Sequence, residues 1–291
     1  MASQPLDGAP SLLVRLRGVR PSLSPAEDRV AEQVLADPRA AAGLTISELA
    51  VAASTSETTV LRFCKRLGLR GYPQLRLALA EASTGGRPQA PTSDISDEDS
   101  VDDVIAKVAH ADASAVDETA QTIDRGALTA AAEAISRATR VDVYGIGASA
   151  LVGMDLQQKL HRIGSMVFCW NDPHIALTSA TLLGPGDVAI GVSHSGTTVE
   201  TVEALELART RGATTVAITN FPVSRLAEVA DHVLATAARE SSLRSGATAS
   251  RIAALTVVDC LYITVAQRDL ARARSAVEHT RQAVAGHHVR Y

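Results

Sequence analysis

The sequence predicts two successive architectures: a small all-α domain, then a doubly wound α/β domain built on a five-stranded parallel sheet. Three observations carry this. From about Leu12 to Glu81 apolar residues recur at helical spacing, in short pieces separated by polar breaks. Residues 83–100, "STGGRPQAPTSDISDEDS", are rich in Ser, Pro, Gly and Asp and nearly free of apolar side chains, as a linker is. Beyond them short continuous apolar runs alternate with helical patterns, the mark of parallel strands covered on both faces.

The bulk numbers are compatible with this. At 291 residues the chain suits one large domain or two smaller ones. It is 46% hydrophobic but only 3% aromatic, so Ala, Val, Leu and Ile must fill the cores. A net charge of −4 argues against a general nucleic-acid coat, although the average can hide a local basic patch. Cys64, Cys169 and Cys260 lie far apart in apolar runs and read as small core residues; no metal-ligand spacing is present. The N-terminus has no long apolar h-region, and no stretch reaches ~18 uninterrupted apolar residues. The expectation is a soluble cytoplasmic protein without a membrane partner. No repeat of fixed period is visible.

In chain order, residues 1–10 read as a loose polar leader. The first domain then offers "AEDRVAEQVLAD", "TISELAVAAS", "SETTVLRFCKRLG" and "YPQLRLALAEA" as helices. After the linker, one or two helices run to about Ala138. The strands are "VDVYGIG", "SMVFCW", "DVAIGVS", "TTVAIT" and "DHVLAT", with helices between them, and one long apolar helix, "ATASRIAALTVVDCLYITVAQRDLARAR", closes the chain. The expected domains are 12–82 and 101–275, with 83–100 as linker.

In the first domain, Ala50 and Ala53 are small enough for two helices to cross closely, Ser54 and Thr55 form a tight turn, and Ser56 can cap the next helix. Val60, Phe63, Cys64 and Leu67 make one buried stripe on it. That is helix-turn-helix spacing. The second helix of such a motif enters the major groove by its N-terminal end. The exposed positions would be Ser56, Glu57, Thr58, Thr59, Arg62 and Lys65. Arg62, Lys65, Arg66, Arg70 and Arg76 fall between residues 62 and 76 with no acidic residue among them, a local basic stripe suited to phosphates and base edges. A structural helix pair with solvated basic faces is the plain alternative.

"TVLRFCKRLGLRGYPQLR" resembles the helix-turn-helix of the RpiR family of bacterial transcriptional regulators. That family joins this module to a C-terminal sugar isomerase (SIS) domain of flavodoxin-like fold. The similarity runs from about residue 12 to 270 and rests on several motifs in order. It implies a double-stranded DNA operator and a phosphorylated sugar effector as partners, and no cofactor.

In the second domain two loops follow strands and open helices: "GIGASA", residues 145–150, and "SHSGTT", residues 193–198. Ligands of open parallel sheets bind beyond the carboxyl ends of the strands, where helix N-termini favour anions. Gly145 and Gly147 permit a tight turn, and Ser149, Ser193, Ser195, Thr197 and Thr198 supply hydroxyls for the several acceptor oxygens of a phosphate. The resemblance to SIS domains, with their G-x-G-x-S and S-x-S-G-x-T loops, implies Ser149, Ser193, Ser195 and Thr198 as phosphate ligands. It places Glu240 at a polar position near the sugar; His194, in the middle of the second loop, faces either sugar or solvent. Arg244 and Arg251 are equally readable as anion contacts and as surface pairs. Two structural alternatives stand: Thr197 and Glu200 have the T-x-x-E spacing of a capping box, and Glu240 is readable as an exposed loop residue.

Three functions compete. A sugar-phosphate-responsive regulator needs both modules and no chemistry. An SIS isomerase or lyase needs a positioned acid and base; Glu240 and His194 are the only pair available, and the helical module would be surplus. A dinucleotide site would use "GIGASA" as a degraded G-x-G-x-x-G, with Ala150 for the third Gly and Asn171 or Asp172 on the ribose, and leaves the second hydroxyl-rich loop unexplained. The first reading is preferred. SIS domains generally pair, which implies a homodimer or homotetramer reading paired half-sites.

Overall fold

The computed structural model describes residues 12–84, 95–240 and 249–287. The leader, positions 85–94 of the expected linker, and Arg244 with the rest of 241–248 lie outside the described residues. Two compact units result, residues 1–110 and 111–291.

The first unit holds six helices among the described residues: α1 (Leu12–Val19), α2 (Pro25–Ala36), α3 (Pro38–Gly43), α4 (Ile46–Ala52), α5 (Glu57–Arg66) and α6 (Tyr72–Thr84). Reciprocal capping boxes start α2 at Ser24 and Glu27 and α4 at Thr45 and Glu48. The helices close on a core that includes Leu16, Val30, Leu49, Val60, Phe63, Cys64, Leu75 and Leu79. The stripe Val60, Phe63, Cys64 and Leu67 is buried throughout.

The helix α7 (Val101–Thr122) contains the point where the two units divide. Then come α8 (Arg125–Arg137), β1 (Val141–Tyr144), α9 (Ala148–Arg162), β2 (Val167–Trp170), α10 (Pro173–Ala180), β3 (Val188–Val192), α11 (Val199–Thr210), β4 (Thr214–Thr219), α12 (Arg225–Glu228) and β5 (His232–Ala235). Last are α13 (Ala249–Arg268) and α14 (Leu270–Ala283). The single closing helix expected from sequence is therefore broken: Asp269 leaves helical geometry and its carboxylate accepts the amide of Arg272, which starts α14.

All five strands are parallel, in the order β2-β1-β3-β4-β5, the flavodoxin-like order with its switch point between β1 and β3. Alternate residues face opposite layers. Val141, Val143, Val188, Ile190, Val192, Val216 and Ile218 pack on α8, α9 and α13. Ala189 and Ala217 pack on α10, α11 and α12. Among the described residues α13 is the one helix long and apolar enough to span a membrane, but its Val257, Val258, Leu261 and Val265 are spent on the core it shares with α8 and α9. Of the cysteines, Cys64 is fully buried while Cys169 and Cys260 are half-buried; burial pushes the thiols of Cys64 and Cys169 up to about 11.

A buried polar knot fixes the β2 edge. Asp142, on β1 and fully buried, accepts from Arg140 (2.8 Å), Ser179 on α10 (2.6 Å) and the indole of Trp170 on β2 (2.9 Å). The charge is thus paired and hydrogen-bonded, the condition for burying it.

Candidate functional site

The two glycine- and hydroxyl-bearing loops both lie at the carboxyl end of the sheet, on either side of the switch point. After β1 the chain reverses at Gly147, which has φ +60° and ψ −126°, a conformation that suits glycine. Gly147 is the N-cap of α9 and offers no side chain to its first amides. Ser149, in the first turn, is half-buried.

After β3, the loop 193–198 is held from several sides. The amide of Gly196 donates to both the hydroxyl and the carbonyl of Ser193, each at 3.1 Å. Gly196 has φ +65°, and a Cβ there would stand 2.0 Å from the Ser224 hydroxyl. The Gly196 carbonyl accepts from Leu226 at the start of α12. Ser193, only 1% exposed, shares a hydrogen bond with Thr198 at 2.9 Å, so these two hydroxyls brace the loop. Ser195 and Thr197 are exposed. Ser195 accepts from the Thr197 hydroxyl (2.9 Å) and amide (3.3 Å), which leaves its own proton to donate outward.

The T-x-x-E spacing is not used as a cap. The helix α11 starts one residue later, with Thr198 as N-cap, and Thr198 makes no side-chain cap bond because its hydroxyl is taken by Ser193. Two long helices, α9 and α11, therefore begin at this end of the sheet without side-chain caps. In α9 the amides of Ser149 and Ala150 donate to the carbonyls of Ile146 and Gly147, and both helices still present the positive end of their dipole there. Asp172, the candidate ribose ligand, caps α10 through the amide of Ile175 at 3.0 Å.

Ser149 and His194 line one cleft of about 30 Å³, together with Val192, Thr219, Thr236, Ser250 and Arg251. Glu240 is not an exposed loop glutamate. It is half-buried and brings its carboxylate to 3.7 Å from Nε2 of His194. The imidazole, 24% exposed, meets the ring of Phe221 edge-on, and its Nδ1 has no hydrogen-bond partner among the described residues. Burial pushes the His194 pKa below the ordinary range, with Glu240 opposing. The His194 carbonyl is fixed by the Asn220 amide (3.1 Å) and the Thr219 hydroxyl (3.2 Å).

Thr219, Asn220 and Thr236 carry no motif and are not found by sequence reasoning. The only signal is position: Thr219 ends β4, and Thr236 directly follows β5.

The helix-turn-helix comprises α4 and α5. Ser54 occupies the turn with φ +49°, and Arg29 on α2 clamps it by donating to the carbonyls of Ala53 (3.1 Å) and Ser54 (3.0 Å). Ser56 caps α5 by accepting the Thr59 amide at 3.3 Å. Ser56, Thr58, Arg62, Lys65, Arg66 and Arg70 are exposed. Thr59 is not: it is 5% exposed, and its hydroxyl turns back to that of Ser56 at 3.1 Å, which removes it from the outward face. Arg76 also leaves the expected stripe, since its guanidinium donates to the Ala42 carbonyl at 3.1 Å. Glu57 engages the Ser47 hydroxyl. The Glu27 carboxylate is held below the usual range chiefly by Ser24, with Arg66 and Arg62 adding smaller attractions.

Fold and site thus define a class: a helix-turn-helix module ahead of a parallel sheet whose switch point is flanked by two glycine- and hydroxyl-bearing loops. A helix-turn-helix domain model of the rpiR family matches residues 11–85, and an SIS domain model matches residues 134–264. An HTH-type transcriptional regulator of Caldanaerobacter subterraneus is 40% identical over 257 residues, covering 88% of this chain and 91% of the relative. The chain belongs to the RpiR family of DNA-binding transcriptional regulators. Among solved structures, Vibrio vulnificus NanR complexed with ManNAc-6P is 31% identical with a TM-score of 0.62, covering 96% of this chain and 100% of NanR. The sugar isomerase domain of an RpiR transcription factor from Sphaerobacter thermophilus is 32% identical with a TM-score of 0.57, covering 62% of this chain and 98% of that domain.

Proposed function

We propose that this regulator senses a phosphorylated sugar at the switch point of its sheet and controls carbohydrate-metabolism genes in response. The observation that carries the reading is the pairing of two helix N-termini without side-chain caps, α9 and α11, with the cleft-lining hydroxyl of Ser149 and the exposed hydroxyl of Ser195, whose proton is left free by its bonds from Thr197. Gly147, Ser149, Ser195 and Thr198 take the phosphate; Thr198 accepts from Ser193 and keeps its own proton for the ligand, Thr197 steadies Ser195, and His194 with Glu240 faces the sugar. The phosphosugar held by NanR, 31% identical over nearly the whole chain, supports the same ligand class.

Residues 12–82 are the DNA-binding domain and 101–275 the effector domain, with 83–100 between them. Ser56, Thr58, Arg62, Lys65, Arg66 and Arg70 form the DNA face. The protein acts in the cytoplasm as a homodimer or homotetramer and is not an enzyme. Calorimetric titration with ManNAc-6P, glucosamine 6-phosphate, ribose 5-phosphate and NAD tests the ligand class. Saturable binding of at least one phosphosugar and none of NAD is expected; binding of NAD alone refutes the reading.

One observation favours a second reading. Glu240 and His194 do converge, as an acid–base pair must. Incubation with each phosphosugar, followed by analysis for aldose–ketose conversion, tests it: the regulator returns the sugar unchanged, whereas an isomerase equilibrates it.

A further inference from the structure

The effector cleft and the helix α7 share one piece of chain, residues 236–240, whose successive groups turn to opposite sides. Toward the cleft, Thr236 lines its wall and donates to Oδ1 of Asn220 at 3.2 Å. The Ala238 amide donates to the same oxygen at 2.7 Å, and Glu240 reaches His194. Asn220 in turn holds the His194 carbonyl, so loop 193–198 and segment 236–240 are tied together behind the cleft. Toward α7, the Ala237 amide donates to the Thr119 hydroxyl at 3.0 Å, and Arg239 pairs with Glu118 at 3.1 Å. Ala115 of the same helix packs with Ala238 and Ala253.

These ties differ in strength. Thr119 is fully buried, and its bond to Ala237 satisfies a buried amide that would otherwise lack a partner. The pair Arg239–Glu118 is half-exposed and weak by comparison. A shift of segment 236–240 therefore leaves α7 two options: to follow, or to orphan a buried N–H. The helix contains neither Gly nor Pro over its 22 residues, so the commonest kink-forming residues are absent from it.

We infer that segment 236–240 is the element through which an occupied cleft acts on α7, and that Thr119 is the positioning residue that makes the connection. This rests on the phosphosugar reading of the cleft. It requires the ligand to favour one position of the segment, which contact at Thr236, His194 and Glu240 supplies.

The test uses the full chain, ManNAc-6P as probe and a DNA fragment from upstream of the gene. The readout is the ratio of DNA Kd with and without the probe. For Thr119→Val, probe affinity and probe-free DNA affinity should stay within about threefold of wild type, while the ratio collapses toward unity. Thr119→Ser, which keeps the hydroxyl, should restore it, and Arg239→Gln should change it by less than about twofold. A wild-type ratio in Thr119→Val overturns the inference, as does loss of the ratio in Thr119→Ser. If Thr119→Val does not fold, hydrogen exchange on wild type decides: the probe should alter protection at Ala237 and along α7, and unchanged protection in α7 overturns the inference. A wild-type chain that binds no phosphosugar removes the underlying reading as well; one that binds, with an uncoupled α7, removes the inference alone.

Discussion

Gly196→Ala isolates what the loop after β3 requires. Two costs combine at this position. The backbone has φ +65°, which costs an L-residue about 1–2 kcal/mol relative to glycine. The new methyl would also stand 2.0 Å from Oγ and 2.4 Å from Cβ of Ser224, and 2.9 Å from the Thr219 hydroxyl, so packed atoms must shift. Overpacking of this kind costs about 1–3 kcal/mol. Gly186→Ala is the control: its φ is +91°, but its Cβ would meet nothing within 4 Å, so only the conformational cost applies. Urea denaturation followed at Trp170, the sole tryptophan and a residue of β2, reports the α/β unit alone. Gly196→Ala should lose about 2–5 kcal/mol and Gly186→Ala about 1–2 kcal/mol. Phosphosugar affinity should fall at least about tenfold in the first, because a displaced Gly196 releases Ser193 and Thr198 and the loss of about one hydrogen bond is worth that much; it should hold in the second. Equal destabilisation by the two substitutions refutes the close-approach argument.

Arg62→Ala and Lys65→Ala should each weaken DNA binding nearly uniformly across sequences and lower the salt slope by about 1, checked by titrations at several salt concentrations, without change in effector affinity. His194 is held below the usual histidine range by burial, so the unfolded chain takes up this proton more readily. Its contribution to stability is present above about pH 6.5 and is lost as pH falls from there toward the lowered folded value; His194→Gln should flatten that part of the stability–pH curve. Deletion of residues 1–82 should leave a folded, phosphosugar-binding oligomer with no specific DNA affinity, measured by thermal shift, sedimentation and mobility shift; an insoluble or monomeric product refutes the proposed division.

The sheet was legible because each buried strand is a short continuous apolar run, from "VDVY" to "HVLA", bounded by polar or glycine-containing loops. The buried stripe of α5, Val60, Phe63, Cys64 and Leu67, was legible from helical spacing. Legibility failed where one residue decides against the local pattern. The helical pattern runs straight through Asp269, yet its side chain caps a new helix there. Thr197 and Glu200 have capping-box spacing, but Ser193 takes the adjacent Thr198 hydroxyl and the helix starts later. Thr59 sits at an outward-looking place in the sequence and is drawn inward by the cap at Ser56. The pairing of His194 with Glu240 and the links made by Asn220 and Thr119 join residues far apart in the chain, through contacts that no spacing encodes.

Under the proposed function, a phosphosugar held by the loop after β3 changes how this protein binds DNA. Mobility shift on the upstream fragment, with and without ManNAc-6P, measures it for wild type and for Ser195→Ala. The exposed Ser195 hydroxyl donates to a charged acceptor in this account, an interaction worth roughly 1.5–3 kcal/mol, or about tenfold or more in affinity. Wild type should respond to the sugar. Ser195→Ala should bind DNA equally well without it and need at least about ten times more sugar for the same response. An identical sugar requirement in the two proteins would contradict the account.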